Sequence, residues 1–105
     1  MTITYFRHQI CEELDGAYDY IKQALELRAD KPSWSKQFAD MSSAELTHSS
    51  NLYKMFEEFF TGLTKEFSDD QRAAMPWLDE SRKEIIDMYT EKYTKVKAMY
   101  ELYTK

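Results

Sequence analysis

The chain is poor in the residues that punctuate turns, holding two glycines and two prolines among its 105 positions. An all-β sandwich of that length needs many more turns than four such residues can make, so the scarcity points to a few long helices. Cysteine is scarcer still. Cys11 stands alone, which excludes an intramolecular disulfide, a Cys-x-x-Cys redox pair and a Cys/His zinc cluster, and suits a reducing, cytoplasmic setting. Positive charge is in deficit: 14 Lys and Arg against 19 Asp and Glu leave a net charge of -5. No field exists to hold a polyphosphate, so no nucleic-acid partner is expected. Long apolar runs are missing too, and Arg7, Glu12 and Glu13 interrupt the N-terminal stretch early. Neither a membrane span nor export by a signal peptide is expected. There is no glycine-rich phosphate loop, and Asp69-Asp70 and Asp79-Glu80 lack the spacing of a calcium loop.

What the chain does have is apolar mass. Hydrophobic residues make up 43% of it, including two Trp, eight Tyr and six Phe, enough for a packed core in one domain spanning residues 1–105. Breaks at Asp30-Lys31-Pro32-Ser33 and between Ser68 and Pro76 divide it into three helical segments, at roughly 3–29, 33–63 and 77–104. Pro32 suits a first helical turn, and Ser68-Asp69-Asp70-Gln71 reads as a capping box opening a short turn. The fold class expected is all-α, an antiparallel bundle of three helices.

Spacing inside the segments carries the functional argument. Phe6, Ile10, Glu13, Ala17, Tyr20, Ala24 and Leu27 recur at steps of four and three, the spacing of one inward helix face. Trp34, Phe38, Met41, Glu45, His48, Leu52, Met55 and Phe59 repeat it in the second segment. Only Glu13, Glu45 and His48 are out of character there. The third segment puts Ile86, Tyr89, Tyr93, Val96, Tyr100 and Tyr103 on one face, an aromatic stripe for packing or association.

The short connection near residue 31 makes the first two helices antiparallel neighbours, so residues whose numbers add to about 61 lie at one height. Glu13 then comes level with His48, one turn from Glu45. Glu45-Leu46-Thr47-His48 is a Glu-x-x-His pair whose side chains share a face at chelating separation. With Glu13 it forms a mixed oxygen and nitrogen set suited to iron, manganese or zinc. Two other readings use the same residues. His48 can be protonated and ion-paired in a buried polar cluster, and Ser42-x-x-Glu45 matches a capping box that would start the helix later.

Glu13, Tyr20 seven residues on, and Glu45-x-x-His48 some thirty residues further resemble the first half of ferritin-like di-iron proteins, ferritins and rubrerythrins among them, over about residues 5–60. The run from Glu12-Glu13-Leu14-Asp15-Gly16-Ala17 to Met41-Ser42-Ser43-Ala44-Glu45-Leu46-Thr47-His48 is similar to small ferritin-like proteins, many of them encoded by bacteriophages. The resemblance implies Glu13, Glu45 and His48 as metal ligands, iron as the metal, and Tyr20 as a hydrogen-bonding residue behind them. It also implies iron oxidation or peroxide reduction. The pattern breaks in the third segment, where Glu91-Lys92-Tyr93-Thr94 has Thr where a second histidine would stand. Either two chains join their sets across a two-fold axis or the site is mononuclear or vestigial, which leaves catalysis undecided. The expected partner is thus a second copy or a structural protein. A metal-free structural or interaction protein, such as a phage accessory or virion component, is the alternative.

Other groups read as structural. His8, Asp15, Asp19, Glu26 and Glu12 belong to a solvated surface, though Glu12 and Asp15 would approach a metal if the helix were rotated. Lys92, Lys95, Lys97 and Lys105 complement a helix C-terminus, and Cys11 is a small packing residue.

Overall fold

A computed structural model describes the whole chain, Met1–Lys105. Its elements are α1 (Ile3–Leu27), α2 (Pro32–Thr64), α3 (Asp69–Ala73) and α4 (Pro76–Thr104), with no strand. The three long helices fall where periodicity places them, and a one-turn helix, α3, must be added to the expected three. Its cause is local: the Ser68 hydroxyl accepts from the Gln71 N–H while the Gln71 amide oxygen accepts from the Ser68 N–H. Thr2 caps α1 by accepting from the Tyr5 N–H, and α2 and α4 open on Pro32 and Pro76, whose missing N–H would be unpaired there anyway.

Side-chain ties set the directions. Ser35 and Ser42 of α2 donate to the Ala24 and Ala17 carbonyls, so α2 runs antiparallel to α1. Arg7 with Glu84, Lys92 with Asp15, and Arg28 with the Leu102 and Tyr103 carbonyls advance along both helices together, so α4 runs parallel to α1. Against α2 it is antiparallel, tied by Arg82 to Glu57, Tyr89 to Ser50 and Tyr100 to the Ala39 carbonyl. The product is a rod of 60 × 19 × 17 Å with a radius of gyration of 17.2 Å. A compact chain of this length would have about 13 Å. Three long helices lie side by side, and one flank of the α1–α2 pair has no helix against it.

The core differs from expectation by one residue of phase. In α2 the buried residues are Ser35, Ala39, Ser42, Leu46, Ser49, Phe56, Phe60 and Thr64, each one position beyond the expected stripe or in phase with it. Trp34, Met41, His48 and Met55 are exposed instead, while Phe38, Glu45, Leu52 and Phe59 are half-buried. In α1 the buried set is Phe6, Ile10, Leu14, Ala17, Ile21 and Ala24, so Leu14 and Ile21 replace Glu13 and Tyr20. Packing supplies the reason. Ser35, Ser42 and Ser49 recur every seven residues, Ser35 and Ser42 bond the Ala24 and Ala17 carbonyls across the contact and Ser49 the Leu46 carbonyl of its own helix, so small side chains let the two backbones approach at no cost of unpaired hydroxyls. Because Ser42 donates to the Ala17 carbonyl within a continuous helix, it is no helix cap. A Ser42→Leu chain, overpacked at this contact, should lose about 1–3 kcal/mol of stability, measurable by urea unfolding.

Helix α4 covers the other side of the pair. Leu78, Ile85 and Val96 are buried, and Tyr89, Tyr93, Tyr100 and Tyr103 pack half-buried on the core, with the Tyr53 and Tyr89 rings stacked at 4.4 Å. The aromatic stripe is therefore used within the chain. Leu14, Ile21, Phe56 and Phe60, which an isolated pair of helices would leave bare, are buried here as well. No helix is long and apolar enough to cross a membrane.

Candidate metal centre

Glu45 and His48 stand one turn apart on α2, and the antiparallel pairing brings Glu13 of α1 to their height. Nδ1 of His48 lies 3.5 Å from Oε2 of Glu13 and 4.0 Å from Oε1 of Glu45. One ligand atom from each residue falls within 4.8 Å of the other two. Sequence spacing alone brings these three together. The expected closed seam is not found: the carboxylate side chains are 25% and 27% exposed and the imidazole 56%, because the one-residue phase difference turns this edge of the pair toward solvent. The group sits at the open flank of α1 and α2.

The two carboxyls at the group work against each other. The Glu45 carboxyl is pushed up to about 7, first by hydrogen bonding with the Glu13 carboxyl, then by burial and by the Glu13 charge, with His48 pulling the other way. Oε2 of Glu13 is shielded from solvent and accepts no hydrogen bond. Two carboxylates that repel, one with a buried unused lone pair, together with an imidazole nitrogen at coordinating separation, fit a divalent cation. A cation would replace the shared proton and engage the idle oxygen.

Gly16, one turn after Glu13, was not singled out by spacing, and it belongs to the same place. A Cβ there would lie 3.5 Å from Oε2 of Glu45, so a methyl would touch the carboxylate and a longer side chain would displace it. The available signal was a glycine inside a helix, where it costs about 1 kcal/mol relative to alanine. Tyr20 lies two turns from Glu13 with its ring 6.1 Å from that of Phe38 and makes no hydrogen bond to the three residues.

The remaining candidates pair elsewhere. His8 is exposed beside Glu12, at 3.1 Å. Asp15 binds Lys92 at 2.6 Å and accepts from the Cys11 thiol at 3.5 Å. Burial and the Asp15 charge push that thiol up, against a smaller opposing pull from Lys92, so Cys11 is a poor nucleophile. Lys92 thus forms a tertiary ion pair and Lys95 covers the Tyr18 ring at 4.4 Å, where the sequence reading gave both to the helix dipole. Glu91 is exposed on α4, and no second group of three potential ligands forms in the chain.

A glutamate on one helix facing Glu-x-x-His on its antiparallel neighbour is half of the donor set of a ferritin-like carboxylate bundle. The family profile of rubrerythrin matches residues 8–105, almost the whole chain. The chain belongs to the rubrerythrin family. No curated protein and no solved structure matches it.

Proposed function

We propose that the protein binds a transition metal, iron in the first instance, through Glu13, Glu45 and His48. The observation that carries this reading is the meeting of two carboxylates and an imidazole within 4.8 Å of one another. Family membership supports iron over manganese or zinc. Glu13 and Glu45 supply charge, and His48 supplies a neutral donor through Nδ1. Loading releases the proton held between the carboxyls to solvent, which the exposed edge at His48 admits. Gly16 keeps the Glu45 carboxylate in its position. Bound iron would supply one-electron chemistry, the basis of Fe(II) oxidation or peroxide reduction.

Anaerobic titration with Fe(II), followed by metal analysis after desalting, tests the reading. Uptake should be about one ion per chain and should fall at least tenfold in affinity in Glu45→Gln or His48→Ala, since each removes one of three donors. Exposure to oxygen then asks for activity: native protein should oxidise Fe(II) faster than the chain carrying Glu13→Leu, Glu45→Leu and His48→Met. No uptake by the native chain would leave the metal-free structural reading, in which His48 and Glu13 are simply an ion pair.

A further inference from the structure

On the other shoulder of α2, between α2 and α4, lies a recess of about 290 Å³ whose eight lining residues include Lys54 and Lys97 and no carboxylate. The chain around it carries 19 Asp and Glu against 14 Lys and Arg. Lys54 stands nine residues after Glu45, about two and a half helical turns, which puts it on the side of α2 opposite that carboxylate. The recess is therefore separate from the candidate metal centre.

Both lysines pass over an acid on their own helix. Glu58 follows Lys54 by four positions and Glu101 follows Lys97 by four, and both glutamates are exposed. The same spacing joins Lys36 to Asp40 at 2.9 Å, yet neither Lys54 nor Lys97 forms an ion pair, and both line the recess instead. Two ammonium groups in one recess repel each other until an anion lies between them.

The uncharged residues there are placed to donate. The Ser50 hydroxyl accepts from the Tyr89 hydroxyl at 3.3 Å, which leaves its own proton for another acceptor. The Tyr93 hydroxyl and the Asn51 amide line the same recess and donate to nothing within the chain. Only Thr47 is committed, to the Ser43 carbonyl at 3.2 Å. Donors without acceptors converge on the space between the two helices.

We propose that this recess binds a phosphate group, free or carried by a small organic molecule. A phosphate monoester bears close to two negative charges at neutral pH and presents three acceptor oxygens. Lys54 and Lys97 balance the charge, and Ser50, Tyr93 and Asn51 meet the oxygens. A single carboxylate leaves one ammonium unbalanced. The volume lies near the lower end of the range of about 300–1,000 Å³ for small-molecule sites, so it admits a short organic remainder against Leu46 and the Tyr93 ring. The net charge of -5 opposes a long polyanion, whereas a small ligand is held at contact range, within a Debye length of about 8 Å. The site does not depend on the metal centre.

An NMR titration of the native chain at low salt, with EDTA present so that no metal holds the anion, tests the proposal. The probes are inorganic phosphate and AMP, with adenosine as the molecule lacking phosphate. Phosphate and AMP should shift the amides of residues 43–54 and 93–97, and adenosine should not. Lys54→Gln and Lys97→Gln should each weaken binding about tenfold, the worth of one hydrogen bond to a charged group, and Lys54→Arg should retain it. Lys22→Gln removes the same charge from an exposed position on α1 and should leave the affinity unchanged. Because all three lysines are exposed, folding should survive, which circular dichroism verifies. Tighter binding of AMP than of phosphate assigns the site to a phosphorylated molecule, and equal affinities assign it to free phosphate. Absence of shifts at millimolar phosphate and AMP overturns the proposal, as do shifts that map elsewhere. An equal loss in Lys22→Gln and Lys54→Gln also overturns it, since net charge alone would then attract the anion.

Discussion

Metal should raise the melting temperature of the native chain by 10 °C or more, and His48→Ala should erase nearly all of that rise. A ligand present at about a thousand times its dissociation constant stabilises the folded state by about 4 kcal/mol when the unfolded chain does not bind it. In a domain of this size each kcal/mol moves the midpoint by about 4–8 °C. The three donors come from two helices and meet only when α1 and α2 pair, so the unfolded chain offers no equivalent group. Without metal the same substitution should do little, within about 1 kcal/mol, because the imidazole is 56% exposed and its loss strands no fully buried charge. Gly16→Leu should behave like His48→Ala in the metal arm by displacing the Glu45 carboxylate, although it removes no donor. Differential scanning calorimetry with Co(II), and with Fe(II) under anaerobic conditions, reads both arms. Equal midpoints for the native chain with and without metal would refute the metal centre.

The contrast between these two arms depends on where His48 lies, and that was only half legible in the sequence. Glu13, Glu45 and His48 were readable as a group because antiparallel pairing through a short connection fixes height, and height needs no knowledge of phase. Phase was the part that failed. Trp34, Met41 and Met55 outweigh Ser35, Ser42 and Ser49 in any apolar count, yet the serines are the buried residues. A helix contact chooses small side chains when the backbones come close, and the hydroxyls find carbonyl partners that no composition scale records.

Elsewhere the signal was local and held, or tertiary and was hidden. The Ser68–Gln71 capping box is written in four consecutive residues, and it forms as read. Its consequence, a separate one-turn helix, follows from the box together with the stop at Pro76. Lys92 shows the other case. Its partner Asp15 lies 77 positions away, so nothing near it in sequence distinguishes it from the helix-end lysines around it. Gly16 was visible but ambiguous, since a glycine in a helix marks close approach without saying of what.

The acid dependence of the metal-free protein should run opposite to that of the loaded one. Glu45 has its carboxyl raised to about 7 in the folded chain, against an ordinary value of 4.5. A carboxyl raised on folding binds its proton more tightly in the native state, so the stability it confers is fully present below about pH 4.5 and is lost as pH rises through about 7. Allowing for the 27% exposure of the side chain, the loss across that window should be on the order of 2 kcal/mol. Metal reverses the sign because the donors must be deprotonated to coordinate, so the loaded protein gains stability over the same range. Glu13→Gln removes the hydrogen-bonding carboxylate and the charge that together do most of the raising, and should flatten the metal-free profile. Urea midpoints at pH 4.5, 6 and 8, with and without Co(II), give all the comparisons, and the difference between native and Glu13→Gln isolates the contribution of the Glu45 carboxyl. Parallel profiles for those two metal-free chains would mean that Glu13 and Glu45 do not share a proton. The idle oxygen of Glu13 would then need another explanation.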